Sequence, residues 1–578
     1  MTQKVNESPY ASKIWLKSYD DYVKPEIEFT INSIDQAFKE TARKYPDTLC
    51  YDFQGTCATF QEAEKYVNSF ANFLVENGIK KGDTIAVNLP NTPQYIIALF
   101  GTFYAGCAST GINFLLSANE VVYQLKDSEA KVIVTMDSFY EEKIREALAT
   151  GETEVEIVVT TNVADLIDLE PKMKEQLINI GKIPIGKVEP VEGIKYFTFN
   201  DILSKYKSDK SPDIKFNTEE DVLLLQYTGG TTGPPKGAIL THRNLSCMIQ
   251  IVEHWFGPAV NPGDYYISGF PFFHLAGLQF CIQSVFSGAG QILVADPRDT
   301  NYIANKMKEY QGKITLMYNV STLYIMLMSN RRFKKLDFSA INGFISGAAP
   351  FPSQAIIEFE ELVGKSKLIE AYGMTEASPG VTMNPFLGPK KVGTVGVPFP
   401  STEVKLIDVT NREKEVPIGE AGEIAIRGPQ VFKGYWKKPE ETENALVDGW
   451  FYSGDVGIMD EDGYITIVDR TKDMIIVGGY KVFSVEVDDK INKHPAIELA
   501  STVGVPNPDR PGSEFVKLYV LLKKGYEASE ETKNDILNYA KDNLANYKVP
   551  KYIEFVQEMP LTSVGKVDKK VLRNMKFS

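Results

Sequence analysis

Apolar residues in this chain come as many short, unbroken runs and not as one long stretch. Positions 131–135, 222–227, 290–294, 314–318 and 343–346 are strand-length and rich in β-branched or aromatic side chains. Such runs read as strands buried on both faces. Helix-like stretches separate them, so the first two-thirds predicts stacked α/β layers with parallel sheets. From about Glu403 the pattern shortens to turn-bounded runs at 404–407, 422–427 and 463–468, which predicts a β subdomain. After Asp469-Arg470-Thr471-Lys472-Asp473 the spacing changes again. Ile536, Leu537, Ala540 and Leu544 fall on one helical face, and Ser529 stands where an N-cap belongs. The expected fold class is therefore α/β. Residues 1–471 form a large N-terminal domain of stacked layers plus a β subdomain, and 472–578 form a small α+β C-terminal domain.

Two stretches depart from this rhythm. Residues 84–119 carry no charge, but Pro90, Pro93, Asn88, Asn91, Gln94 and Asn113 interrupt them. They read as a buried strand at 84–89 and a buried helix near 92–106, since the apolar core is too short for a membrane span. Peripheral membrane contact stays open. Residues 160–215 are polar without clear periodicity and read as a surface excursion with no assigned function.

Composition narrows the function classes. The 578 residues are 43% hydrophobic and 24% charged, ordinary for a soluble enzyme of more than one domain. A net charge of −14 argues against a nucleic-acid surface but leaves room for a local nucleotide site. Five cysteines without a Cys-x-x-Cys pair, four histidines and an N-terminus without an apolar signal core read as a reduced cytoplasmic protein with no structural zinc.

Residues 227–237 read Tyr-Thr-Gly-Gly-Thr-Thr-Gly-Pro-Pro-Lys-Gly. Glycines bring backbone N–H groups close to an anion, threonines add hydroxyl donors, and Lys236 adds a mobile charge. That is the chemistry of a polyphosphate loop, expected to emerge from a sheet edge after the 222–225 run. It is neither a Walker A loop nor a Gly-x-Gly-x-x-Gly fingerprint. Read alone, it is also compatible with a Thr/Gly-rich surface loop. Three further clusters carry chemistry with equally plain alternatives. Tyr372-Gly373-Met374-Thr375-Glu376 places a carboxylate where Mg²⁺ could bridge to phosphate, or is a solvated acidic turn. Tyr452-Ser453-Gly454-Asp455 offers a carboxylate to two ribose hydroxyls, or is a β-turn. Lys566, beyond Gly565, is a catalytic or a solvated lysine.

These motifs, in this order, resemble the adenylate-forming (AMP-binding) enzymes, and the Gly-Gly loop is similar to that of the long-chain fatty acyl-CoA synthetases. The resemblance covers almost the whole chain. It implies that ATP, Mg²⁺ and CoA are used to convert a fatty acid to acyl-AMP and then to acyl-CoA. It assigns phosphate contacts to Thr228, Gly229, Gly230, Thr231, Thr232, Gly233, Lys236 and Thr375. The adenine pocket falls to Gly347, Ala348, Ala349, Tyr372, Gly373 and Met374, the metal to Glu376 and Thr228, and the ribose to Asp455 and Arg470. Lys566 becomes the adenylation lysine and Lys472 the hinge of a mobile C-terminal domain. Gly479, Tyr480 and Lys481 line the pantetheine channel. Many relatives carry Asn where this chain has Lys481, so the CoA contacts differ in detail. Homodimer formation is carried over with the family.

The substrate class rests on Phe270-Pro271-Phe272-Phe273-His274. No acidic residue occurs from Tyr265 to Ala295. Amino-acid-activating relatives place an Asp where this chain has His274, and an uncompensated buried ammonium is costly. His274 reads either as a packed member of the aromatic cluster or as a wall or gate of the acyl pocket. It stands with Lys566, Thr228 and Glu376 in the candidate catalytic set. A gating Trp found in some long-chain members is Leu278 here. Medium-chain, aryl or hydroxy acids, or loading of a carrier protein, remain alternatives.

Overall fold

A computed structural model describes residues 8–228, 234–478, 480–561 and 567–575. The chain divides into two compact units. One comprises Trp15–Glu403 with Arg427–Gly449, and the other Met1–Ile14 with Val404–Ile426 and Trp450–Ser578.

The first unit holds the α/β layers that the short apolar runs predict. One sheet of nine strands has six parallel members in the order Leu368–Tyr372, Gly343–Ser346, Ile314–Asn319, Tyr265–Ser268, Gly290–Leu293 and Leu49–Phe53. Short antiparallel strands finish both ends. A second sheet of eight strands runs Gly434–Tyr435, Lys236–Thr241, Val222–Thr228, Ala108–Gly111, Thr84–Asn88, Ala130–Met136, Ile157–Thr161 and Lys195–Thr198. Its first two junctions are antiparallel and the rest parallel.

The uncharged stretch is core. Thr84–Asn88 and every residue of the helix Pro93–Tyr104 are buried. That helix packs on Phe60–Glu76 so closely that a Cβ at Gly101 would meet the Phe70 side chain at 2.8 Å. Among the described residues no helix is long and apolar enough to cross a membrane. The excursion at 160–215 carries more structure than its polarity suggests. Its helix Pro171–Asn179 buries nothing, hence the missing periodicity. Its end, however, supplies the edge strand Lys195–Thr198 and places Phe197 and Phe199 against Phe73 and Phe70.

The second unit contains the turn-rich sheet, in which Trp450–Met459 lies between Ala421–Arg427 and Ile465–Arg470. It also contains a three-stranded sheet of Ile497–Pro506, Glu514–Leu522 and Tyr552–Phe555. The helix Glu530–Asn543 begins at Ser529, whose side chain accepts from the Thr532 N–H. Ile536 and Ala540 are buried against Val516, Leu518 and Val520.

Candidate active site

The Thr/Gly-rich run at 227–237 is flanked by a strand pair. Val222–Thr228 pairs antiparallel with Lys236–Thr241, so Thr228 faces Lys236 across the ladder. The Thr228 hydroxyl donates to the Lys236 carbonyl at 3.4 Å. Tyr123 Oη donates to the Pro235 carbonyl at 2.8 Å, and Tyr227 Oη donates to Asp127 Oδ2 at 2.6 Å, which anchors both stems. Val222–Thr228 is an interior strand, flanked by Lys236–Thr241 and Ala108–Gly111. Thr228 ends that strand at its carboxyl end, the usual ligand side of an α/β sheet. Gly229, Gly230, Thr231, Thr232 and Gly233 lie outside the described residues.

Tyr372 ends the strand Leu368–Tyr372, and Thr375–Ala377 is a single 3-10 turn that packs against Lys236–Thr241. Gly373 is required by close approach: a Cβ there would stand 1.6 Å from the Pro379 carbonyl oxygen. The turn keeps Tyr372 through Glu376 half-buried, neither core nor open surface. Glu376 accepts from Tyr435 Oη at 2.7 Å through Oε1, and its backbone carbonyl accepts from the Phe432 N–H. Gly347, Ala348 and Ala349 follow the neighbouring strand Gly343–Ser346, and Ala348 takes a left-handed φ of 64°. Such strain in a residue with a side chain is typical of ligand-contacting backbone.

The aromatic segment before the helix Leu275–Phe286 is locked in place. Asn91 Nδ2 donates to the Phe270 carbonyl at 2.7 Å, Tyr95 Oη to Phe272 at 3.0 Å, and Gln226 Nε2 to Phe273 at 2.7 Å. His274 is the helix N-cap: its Nδ1 accepts from the Ala276 N–H at 3.2 Å, and its ring stacks on Phe270 at 5.7 Å. Behind it Tyr318 lies between Phe270 and Phe280, with centroids 5.2 and 5.6 Å away. A Cβ on Gly347 would be 3.2 Å from the Tyr318 hydroxyl. Tyr318 links the backbone at 347–349 to the aromatic wall, and sequence reading missed it. A strand-terminal tyrosine has no signature without its neighbours.

In the second unit, Asp455 and Arg470 are register partners on adjacent strands, with Arg470 Nε 3.2 Å from Asp455 Oδ1. Lys472 sits in the turn just after. Burial, with Arg470 nearby, pulls its ammonium below the usual lysine pKa. Arg573 donates to the Lys472 carbonyl at 3.3 Å and pairs with Asp473. Tyr480 is exposed and stacks on Tyr547 at 4.8 Å, and Lys481 Nζ lies 3.8 Å from Asp408 Oδ1. Gly479 and Lys566 lie outside the described residues.

Among the described residues no group of three or more His, Cys, Asp or Glu could hold a metal by itself. The carboxylate of Glu376 and the hydroxyl of Thr228 offer hard oxygen ligands. They suit Mg²⁺, which takes one or two protein ligands plus phosphate oxygens. Metal bound there would screen phosphate charge.

Comparison with known proteins bears on the whole arrangement. Residues 38–436 match the model of the AMP-binding enzyme family, and 486–566 match the AMP-binding enzyme C-terminal domain. The chain is 35% identical to a long-chain-fatty-acid--CoA ligase of Bacillus subtilis over 560 residues, covering 96% of this chain and 97% of that one. It is 35% identical to a ligase of the same name from Salmonella typhimurium over 575 residues, covering 97% and 98%. The crystal structure of ATP-bound MatB from Rhodopseudomonas palustris superposes with a TM-score of 0.78 at 27% identity, covering 94% of this chain and 98% of that chain. On these matches the chain belongs to the AMP-binding enzyme family.

Proposed function

We propose that the enzyme activates a fatty acid, long-chain by preference, and transfers it to CoA. The acid's carboxylate attacks the α-phosphorus of ATP, which expels pyrophosphate and leaves acyl-AMP. The CoA thiol then attacks the acyl carbonyl, and AMP leaves with its phosphate oxygen. The observation that carries the substrate class is the wall at 270–274. It is aromatic, pinned by Asn91, Tyr95 and Gln226, and lies in a stretch without a carboxylate from Tyr265 to Ala295. An aliphatic chain suits it, and an α-ammonium would find no counter-charge. Similarity to the two ligases over nearly their full length supports the long-chain preference.

In this reading Thr228, the 229–233 loop, Lys236 and Thr375 hold the phosphates, and Glu376 with Thr228 holds Mg²⁺. Gly347, Ala348, Ala349, Tyr372, Gly373 and Met374 take the adenine, and Asp455 with Arg470 takes the ribose. Lys566 meets the charge that spreads over the acyl and α-phosphate oxygens, electrostatic stabilisation of the kind that dominates phosphoryl chemistry. Gly479, Tyr480 and Lys481 line the CoA path. Homodimer formation is carried from the family, whereas the cytoplasmic location rests on the cysteine pattern and N-terminus and peripheral membrane contact on the uncharged stretch 84–119.

The test is AMP release with ATP, Mg²⁺ and CoA across straight-chain acids from acetate to oleate, with benzoate beside them. A CoA-dependent optimum at long chains is expected. Pyrophosphate release that CoA does not accelerate would replace the ligase with an acyl-adenylate-forming relative. One observation favours a second reading. Tyr318 packs against Phe270 with its hydroxyl close to Gly347, and a ring there would shorten an acyl path running that way, which suits medium-chain or aryl acids.

A further inference from the structure

Lys236 and Glu376 are 140 positions apart, yet one side chain touches both. Gly434–Tyr435 is a two-residue strand that pairs antiparallel with Lys236–Thr241, with Tyr435 opposite Ala238. Lys236 stands two residues from Ala238 on the same strand face, within diagonal reach of Tyr435. Its ammonium lies over the Tyr435 ring, 5.0 Å from the centroid. The Tyr435 hydroxyl donates to Glu376 Oε1 at 2.7 Å.

We propose that Tyr435 is a positioning residue for the nucleotide site, its hydroxyl aiming the Glu376 carboxylate at the metal and its ring holding the Lys236 ammonium toward the phosphates. A hydrogen bond at Oε1 fixes the orientation of the carboxylate. The ring is itself held from other directions. Phe432 packs edge-on at 4.8 Å, and the Tyr435 N–H donates to Thr442 Oγ1 at 2.9 Å. Tyr435→Phe therefore keeps the ring and the strand, and removes one hydroxyl.

The inference rests on reading Lys236 and Glu376 as ligands of Mg-ATP. The experiment compares equilibrium binding of ATP to the full-length protein with Mg²⁺ and with EDTA. Wild type is expected to bind ATP more tightly with Mg²⁺. In Tyr435→Phe that advantage should shrink about tenfold, the scale of a hydrogen bond to a charged group, with binding in EDTA unchanged. Tyr435→Leu should in addition weaken binding in EDTA about threefold, as loss of a cation–π contact does. Both variants should melt as wild type does. A Phe variant that keeps or increases the Mg²⁺ advantage overturns the role for the hydroxyl, and a Leu variant that binds in EDTA as wild type does overturns the role for the ring. A wild type that gains nothing from Mg²⁺ instead overturns the reading of Glu376.

Discussion

Glu370 shows how far a single side chain can depart from its usual chemistry beside the site. It lies two residues before Tyr372 on the same strand, and Oε2 accepts from the Gly393 N–H at 3.2 Å. Burial outweighs that bond and lifts its pKa from 4.5 to about 7. A carboxyl group whose pKa is raised by folding binds its proton more tightly in the folded state. Its contribution is fully present below the unfolded value and is lost as pH rises through about 7. The loss is at most about 3 kcal/mol. Glu370→Gln mimics the protonated form, so it should melt higher than wild type at about pH 8 and alike at about pH 4. A difference of the same size at both pH values would mean that Glu370 does not titrate in this range. Glu370 was not legible in the sequence, because burial of a carboxylate depends on which segments fold over it. Gly373 and Glu376 stood out as a glycine turn ahead of a carboxylate, and only the family resemblance gave that turn a role beyond a solvated one. Tyr435 was not, since its contacts arise only when a two-residue strand pairs with a hairpin about 200 positions earlier.

At the scale of elements, the parallel strands were legible because they are buried on both faces and read as unbroken apolar runs. The runs at 131–135 and 314–318 became Ala130–Met136 and Ile314–Asn319. The strand Lys195–Thr198 was not legible, because all four of its residues keep solvent contact. The end of Ile314–Asn319 has a consequence for specificity. Ser268 Oγ donates to the Tyr318 carbonyl at 2.6 Å, and Asn319 Oδ1 accepts from Gly269 at 2.7 Å, so the backbone there is fixed while the Tyr318 ring fills space. If the acyl chain runs past Tyr318, Tyr318→Ala should lengthen its path, with the strand backbone still held by Ser268 and Asn319 and a stability loss of about 3 kcal/mol from the vacated space. The chain-length optimum should move upward by about two carbons, each buried CH₂ contributing about 0.8 kcal/mol. The measurement is kcat/KM over a series of saturated acids. An unchanged optimum would place the end of the pocket elsewhere and remove the argument for a shortened site.

At the scale of the molecule, the question is how one small C-terminal part could serve two half-reactions. Within the second unit, Asp469 on the strand before Lys472 is bonded to the start of the helix Ser484–Ile491, and further polar bonds tie that helix and the turn after Lys472 to the C-terminal helix Lys569–Asn574. The Asp469 carboxylate accepts from the Ser484 N–H and, at 3.0 Å, from its hydroxyl. Lys569 Nζ donates to Ser484 Oγ at 2.7 Å and pairs with Asp488 at 3.0 Å. Arg573 closes on Asp473 and the Lys472 carbonyl. Of these, the bonds from Asp469 to Ser484 span Lys472, so a change of backbone angle there must break them, while the bonds of Lys569 and the Arg573–Asp473 pair move with the C-terminal part. If the two half-reactions need two arrangements, a residue that cannot rotate at 472 should favour one reaction over the other. Proline fixes φ near −65° and removes the N–H. Lys472→Pro should therefore leave acyl-AMP formation, followed as pyrophosphate release in a single turnover, less affected than acyl transfer to CoA. A gap of about tenfold or more between the two losses is expected, equivalent to about 1.4 kcal/mol of differential barrier. Equal loss in both steps would show that the substitution merely damages the turn, and the hinge assigned to Lys472 would have to be withdrawn.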